Sequence, residues 1–340
     1  MKKSCIVFNK NLEKLTAYKT AVLPKNVKRM NSNEIEKPIF DKNFLMKNVD
    51  NLNYYPEEKY TILTKKAGEF YKVNTNKIIP VNGSDEGIDL IVRTCCNCND
   101  KILVLNPGFS MYSQYATAFS VKTISLDLIQ NDNQFSLDFD KLIQVAKKSK
   151  PKIIFISNPL ANVGGVINRK DLIKIVKTLT NSIVAIDEAY IDFTNENSML
   201  SELKKYKNLV VLRTMSKFFG LAGIRLGFVF TNFADDIFKI KSPYNVNQIT
   251  CQIGINVFEN ITNNKINARK KEILEKKQAL VKWLKTFKEV NTIYKSETNF
   301  VFVKLNCKAD VFADKLLQKY KIKIKAMSNK FENYCRISVL

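Results

Sequence analysis

From Lys77 onward the chain repeats one pattern, a short run of β-branched and apolar residues followed by a stretch with helical spacing. KIIPV precedes SDEGIDLIVRT, KILVL precedes FSMYSQYATAF, and KTISLDL precedes LDFDKLIQVAKK. KIIFIS then leads into RKDLIKIVKTL and SIVAID into MLSELKKY, and LVVLRT is followed by IRLGFVF. A strand with one wet face alternates polar and apolar residues; most of these runs are apolar throughout, so both faces must be covered. Strands of that kind joined by helices predict an α/β architecture, a mainly parallel sheet covered by helices. After Pro243 the pattern changes to a lysine-rich amphipathic helix from Lys265 to Phe287, short strands near Phe300 to Lys304 and Ile322 to Lys325, and the closing YCRISVL. The chain divides into an N-terminal arm that joins the small domain (1–44), a large domain (45–245) and a smaller α+β domain (246–340).

A chain of 340 residues, 45% hydrophobic, can bury two such cores. Its seven cysteines are scattered apart from Cys95, Cys96 and Cys98, which is not a disulfide framework and fits a reducing cytosol. That trio holds a single C-x-x-C spacing in a chain without histidine, so no metal site is expected. No apolar run approaches the ~18 residues of a membrane span, and the opening MKKSCIVFNKNLEK lacks the core of a signal peptide. The net charge of +23 invites a nucleic-acid partner, but only seven of the 55 basic residues are Arg and the lysines are spread along the chain. A solvated surface accounts for the charge, and its field favours small anionic substrates.

In a sheet of this class ligands sit beyond the carboxyl ends of the strands. After KIIPV comes Asn82-Gly83-Ser84-Asp85-Glu86, a turn into a helix whose free amides and hydroxyl can cradle a phosphate, or where Ser84 or Asp85 is an ordinary cap. After SIVAI comes Asp187-Glu188-Ala189-Tyr190, and a carboxylate at the end of a buried strand needs a partner. After LVVLRT comes Met215-Ser216-Lys217, with Arg225 eight residues beyond. An apolar neighbourhood favours the depressed pKa that an amine nucleophile requires. A buried Asp, a Tyr three residues on, a Ser-Lys pair and an Arg are together the parts that pyridoxal 5'-phosphate needs. The amine forms the covalent link, the carboxylate keeps the ring nitrogen protonated, and cation and amides hold the phosphate.

On these residues the chain resembles the fold-type I aminotransferases, most closely the histidinol-phosphate aminotransferase branch, from about Asn31 to the last residue. The matching pieces are NSNE (31–34), LNYYPE (52–57), VNGSDEGIDLI (81–91), NPGFSMY (106–112), AIDEAYIDF (185–193) and RTMSKFFGLAGIRLGF (213–228). The resemblance implies Lys217 as the Schiff-base lysine, Asp187 against the pyridine nitrogen, Tyr190 at the cofactor's phenolic oxygen and Phe109 stacked on its ring. It surrounds the phosphate with Gly83, Ser84, Asp85, Ser216 and Arg225, and brings Tyr55 to the phosphate of the neighbouring subunit of a homodimer. It gives Arg336 the substrate's anionic group, for which a guanidinium fork is suited, with Lys325 where a second arginine is expected.

Three departures from the family pattern stand out. The loop after KIIFIS reads Asn158-Pro159-Leu160-Ala161-Asn162-Val163-Gly164, so the asparagine expected at the cofactor falls on Ala161, with Asn162 one place late. The entry segment Asn33 to Pro38 lacks a substrate-contacting tyrosine, and the sequence ends at Leu340 where relatives continue, which is expected to leave part of the small domain uncovered. The implied function is amino transfer between an anionic, phosphorylated amino compound and a 2-oxo acid, in the cytosol. The alternatives are a decarboxylase of a phosphorylated amino acid, similar to threonine-phosphate decarboxylase, and a basic binding protein on a degenerate scaffold. Retention of Asp187, Tyr190, Lys217 and Arg225 speaks against the last.

Overall fold

The computed structural model describes residues 10–17, 23–40, 44 and 52–340; the arm expected over 1–44 lies partly outside the described residues. The first strand, β1 (Lys28–Met30), belongs to the small domain. The large domain is then built from β2 (Ile78–Asn82), β3 (Lys101–Asn106), β4 (Lys122–Asp127), the hairpin of β5 (Ile129–Gln130) and β6 (Phe135–Ser136), β7 (Ile153–Ser157), β8 (Ile183–Asp187), β9 (Leu209–Thr214) and β10 (Leu226–Thr231). Seven of these form one sheet in the order β2-β10-β9-β8-β7-β3-β4. All its pairings are parallel except those of β10, which runs against both neighbours.

The two-residue period of a strand divides the apolar runs between two cores. Ile78, Leu103, Ile154, Ile156, Val184, Val211 and Phe228 face one helix layer. Ile79, Val81, Val104, Phe155, Ala185, Val210 and Leu212 face the other. Helices Gly83–Cys95, Met111–Ala118, Phe139–Ser149 and Arg169–Thr178 form where the sequence carries helical spacing. MLSELKKY departs from expectation: Met199–Lys204 is a 3-10 turn, started by Ser198, whose hydroxyl accepts from Leu200 N–H. The segment is too short to extend into an α-helix and buries Met199, Leu200 and Leu203 in one turn.

The small domain holds β11 (Val290–Ile293), β12 (Phe300–Leu305), β13 (Ile322–Ala326) and β14 (Tyr334–Ser338), in the sheet order β1-β13-β14-β12-β11. β1 pairs with β13 in parallel, Lys28 against Ile322, so the N-terminal segment is stitched into this domain 294 residues away along the chain. Helices Asn263–Leu284 and Ala309–Tyr320 supply its core through Ile273, Leu284, Phe312 and Leu316. Helix Gln248–Asn260 packs instead on helix Thr61–Tyr71, and its Cys251, Ile253 and Val257 belong to the large-domain core. Among the described residues no helix is long and apolar enough to cross a membrane.

Candidate active site

β8 ends in Asp187, between Ser157 at the end of β7 and Leu212 of β9. The carboxylate is 5% exposed, and its oxygens accept from the Tyr112 hydroxyl at 2.7 Å and the Ala189 N–H at 3.0 Å. Among the described residues it makes no salt bridge. The adjacent Glu188 does: it meets Arg213 of β9 at 3.1 Å, and Arg213 also pairs with Asp192. Burial pushes the Asp187 carboxyl up to about 6, against the two hydrogen bonds that favour its ionised form, while the acids Asp85 and Glu188 add to the rise. A buried carboxylate left without a cation is costly, and its placement calls for a proton-bearing partner.

The turn after β2 makes a cradle. Gly83 sits at φ +75°, and a Cβ there would lie 2.3 Å from a terminal nitrogen of Arg225, so this position requires glycine. Gly227 of β10 likewise lets the Ser84 amide come close, since a Cβ would meet it at 2.6 Å. Arg225 reaches over this turn, 3.4 Å from Ser216 Oγ and 3.4 Å from Asp85 Oδ2, and donates to the Ala222 carbonyl at 3.2 Å. Helix Gly83–Cys95 therefore presents its N-terminal amides beside a guanidinium and two hydroxyls, a donor set suited to a phosphate.

Three consecutive residues of the N-terminal segment tie into the same place. The carbonyl of Asn31 accepts from Arg336 at 2.9 Å, that of Ser32 accepts from Lys217 Nζ at 3.0 Å, and the Asn33 amide donates to Tyr190 Oη at 2.9 Å. Asn33 is itself fixed: Ser338 Oγ accepts from its N–H and donates to its Oδ1, each at 2.8 Å, and Asn299 donates to its carbonyl. Arg336 lies over the Phe300 ring and donates to Asn162 Oδ1 at 2.8 Å, while Lys325 is its cross-strand partner. Burial, with Arg336 and Lys217 nearby, lowers the Lys325 ammonium to about 8.

The residues singled out in the sequence lie as follows. Tyr190, Lys217 and Arg336 share one network of contacts with residues 31–33, Asp187 stands outside it on Tyr112 and the Ala189 amide, and Gly83, Ser84, Asp85, Ser216 and Arg225 form the cradle. Phe109 stands edge-on to Tyr112, with ring centres 5.5 Å apart. Asn162 adopts φ +69° and turns its amide inward, donating to the Gly108 carbonyl at 2.6 Å, whereas Ala161 is buried and its N–H donates to Ser157 Oγ. Tyr55 stays on the surface, 80% exposed and stacked on Tyr244 at 4.5 Å. Burial pushes the thiols of Cys95 and Cys96 up to about 12 and about 11, which keeps both protonated. Tyr112, Asn33 and Arg213 went unassigned from sequence, although all three lie inside the matching pieces NPGFSMY, NSNE and RTMSKFFGLAGIRLGF; only contacts across 75, 157 and 25 residues mark them.

The chemistry of these donors fits pyridoxal 5'-phosphate: a carboxylate without a cation for a pyridinium, a glycine-lined cradle for a phosphate, and an amine on the residue following Ser216. The family model for aminotransferase class I and II matches residues 15–340. A histidinol-phosphate aminotransferase of Clostridium novyi is 37% identical over 292 residues, 84% of this chain and 79% of its own. One of Clostridium kluyveri is 32% identical over 98% of this chain and 94% of its own. Among solved structures, the histidinol-phosphate aminotransferase of Clostridium acetobutylicum aligns with TM-score 0.81 at 26% identity, covering 92% of this chain and 94% of that one. The L-threonine-O-3-phosphate decarboxylase of Porphyromonas gingivalis aligns with TM-score 0.78 at 20% identity, over 92% and 94%, a likeness of fold.

Proposed function

The chain belongs to the class I and II aminotransferase family, as a PLP-dependent aminotransferase, and we propose that it moves an amino group between a phosphorylated amino compound of the histidinol-phosphate type and 2-oxoglutarate. The observation that carries the substrate class is the convergence of Lys325, Arg336 and Lys217: burial, and after it the like charges of Arg336 and Lys217, hold the Lys325 ammonium down to about 8. A site that gathers cations against their own repulsion favours an anion. Pyridoxal phosphate, when bound, supplies an electron sink for the charge that develops on the substrate carbon.

In this reading Asp187 holds a proton on the ring nitrogen, in a dry setting where that charge counts most. Lys217 anchors the cofactor and moves the proton at the substrate carbon bearing nitrogen. Tyr190, held by Asn33, would donate to the phenolic oxygen, and Asn162, in the loop after β7, would stand beside it with its amide on the Gly108 carbonyl and Arg336. Phe109 covers the ring face, and Gly83, Ser84, Asp85, Ser216 and Arg225 receive the phosphate. Arg336 grips the substrate carboxylate or phosphate with its planar fork, and Lys325 adds a point charge beside it.

The same reading makes the active unit a cytosolic homodimer. The dimer is supported by the exposed side chains of Leu52, Tyr54, Tyr55 and Tyr244, with Tyr55 stacked on Tyr244 at the surface, where a second copy would meet it. The test is a panel of amino donors with 2-oxoglutarate, scored for glutamate, keto product and carbon dioxide, alongside Lys217→Ala. Wild type should take up pyridoxal phosphate in a borohydride-reducible form mapped to Lys217, and release keto product from histidinol phosphate. Carbon dioxide without keto product would replace this reading with the decarboxylase.

A further inference from the structure

Tyr112 sits on the helix Met111–Ala118, behind the strand end that carries Asp187. It is 2% exposed, and its ring lies parallel to Phe155 of β7 at 4.7 Å and edge-on to Phe109 at 5.5 Å. A phenol packed on two sides has little rotational freedom, so the direction of its hydroxyl is set by the core. That hydroxyl donates to Asp187 Oδ2 at 2.7 Å, while the Ala189 N–H occupies Oδ1.

Resting on the reading that Asp187 meets the cofactor nitrogen, we infer that Tyr112 is a positioning residue, which aims the Asp187 carboxylate, keeps it ionised, and couples it to Phe109 on the ring face. Two geometric facts lead there. The hydrogen bond is the one side-chain donor that Asp187 has among the described residues, and the same tyrosine touches the aromatic residue next to the cofactor's place. Burial, together with Asp187, Tyr190 and Asp85, pushes the Tyr112 phenol well above its ordinary range, so it remains a donor wherever the enzyme works. The charges that bear on Asp187 itself, Asp85 and Glu188, both oppose its ionisation, which leaves Tyr112 and the Ala189 amide to sustain it.

Tyr112→Phe keeps the ring and its stacking and removes only the hydroxyl, so the variant tests the bond rather than the fold. In the full-length cofactor-free chain, the Asp187 carboxyl stretch, identified by its loss in Asp187→Asn, is followed by infrared titration. Its midpoint should rise by about one pH unit in Tyr112→Phe, the tenfold effect of losing a hydrogen bond to a charged group. Affinity for pyridoxal 5'-phosphate should fall by about the same factor, and that loss should not appear when Tyr112→Phe is made on Asp187→Asn. An unmoved titration midpoint, or an affinity loss that persists undiminished on Asp187→Asn, would reduce Tyr112 to a packing residue and overturn the inference. Failure of the wild type to take up the cofactor would sink the underlying reading instead, while the infrared titration would still decide whether Tyr112 holds Asp187.

Discussion

Around Asp187 the hydrogen bonds are short and dry, at 2.7 and 3.0 Å with the carboxylate 5% exposed. Around Arg225 they are long and wet: Ser216 and Asp85 each stand 3.4 Å away, and the Arg225 and Asp85 side chains are 43% and 40% exposed. Both places lie at the carboxyl edge of one sheet. The difference follows from their neighbours, because β8 is flanked by β7 and β9 and roofed by Tyr112, whereas the turn after β2 meets only the antiparallel β10. One end is held in place by the core, and the other has loosely held donors that an anion would draw in. Substitutions at the dry end should therefore show in rate as well as in cofactor affinity, and those at the wet end in cofactor affinity almost alone.

Asp187→Asn should give the largest effect, a fall in kcat of about 10²–10³ at saturating cofactor, the range seen when one preorganised electrostatic group is removed. The substitution also has a stability signature in the cofactor-free chain. A carboxyl whose folded value is raised to about 6, above its ordinary value near 4, binds its proton more tightly folded than unfolded. Stability is then lost as pH rises between those two values, and at pH 7–8 the ionised carboxylate costs about 3 kcal/mol. Asp187→Asn should remove that slope, so thermal melts at pH 8 should favour the variant while those at pH 4 do not. A variant no more stable at pH 8 would mean that the dry end carries no such cost.

Arg225→Ala should weaken pyridoxal phosphate binding by about 10–100-fold, the worth of charge-assisted hydrogen bonds, with kcat at saturating cofactor changed only a few-fold. A kcat loss as large as that of Asp187→Asn would break the contrast between the two ends.

Strand ends were legible because of the same contrast. Apolar runs covered on both faces leave chemistry nowhere to sit but their carboxyl edge, so Asp187, Ser216-Lys217 and the Gly83 turn could be picked out by position. The mainly parallel sheet followed from the same runs, and the late small domain from the change of pattern after Pro243. What sequence left dark was every partner set by tertiary packing. Tyr112 reads as one more aromatic on a helix until its hydroxyl is seen against β8, and Asn33 acquires meaning only through Ser338, 305 residues later. Glu188 and Asp187 look alike as neighbours, yet strand alternation sends one to Arg213 and leaves the other without a cation.

On the small-domain side, Lys325 tests whether the substrate end behaves as a wet or a dry one. An ammonium lowered to about 8 is protonated at pH 7 and largely neutral at pH 9. The KM for the anionic substrate should rise about tenfold across that interval, the ratio of protonated fractions for a group of that pKa. Lys325→Arg should flatten the profile, since a guanidinium keeps its charge. A wild-type KM that is level from pH 7 to 9 would remove Lys325 from the substrate's path.

The smallest effect is expected at the loop after β7, where the large and small domains meet. Asn162 links them: its Nδ2 donates to the Gly108 carbonyl, just before Phe109, and its Oδ1 accepts from Arg336. Ala161 is only 7% exposed, with its N–H donating to Ser157 Oγ. At φ +69° Asn162 occupies the left-handed region that asparagine and glycine tolerate, so Asn162→Gly removes the amide without adding backbone strain. Losing the hydrogen bond to Arg336 should loosen the guanidinium and raise the KM for the anionic substrate about fivefold, the equivalent of ~1 kcal/mol. Ala161→Asn should bring no gain in KM or in the cofactor's spectrum, and should cost about 1–3 kcal/mol of stability by overfilling a packed position. The opposite pattern, with Asn162→Gly inert and Ala161→Asn improving KM, would mean that the loop works in the family's register and that the Asn162 bridge between the domains is incidental.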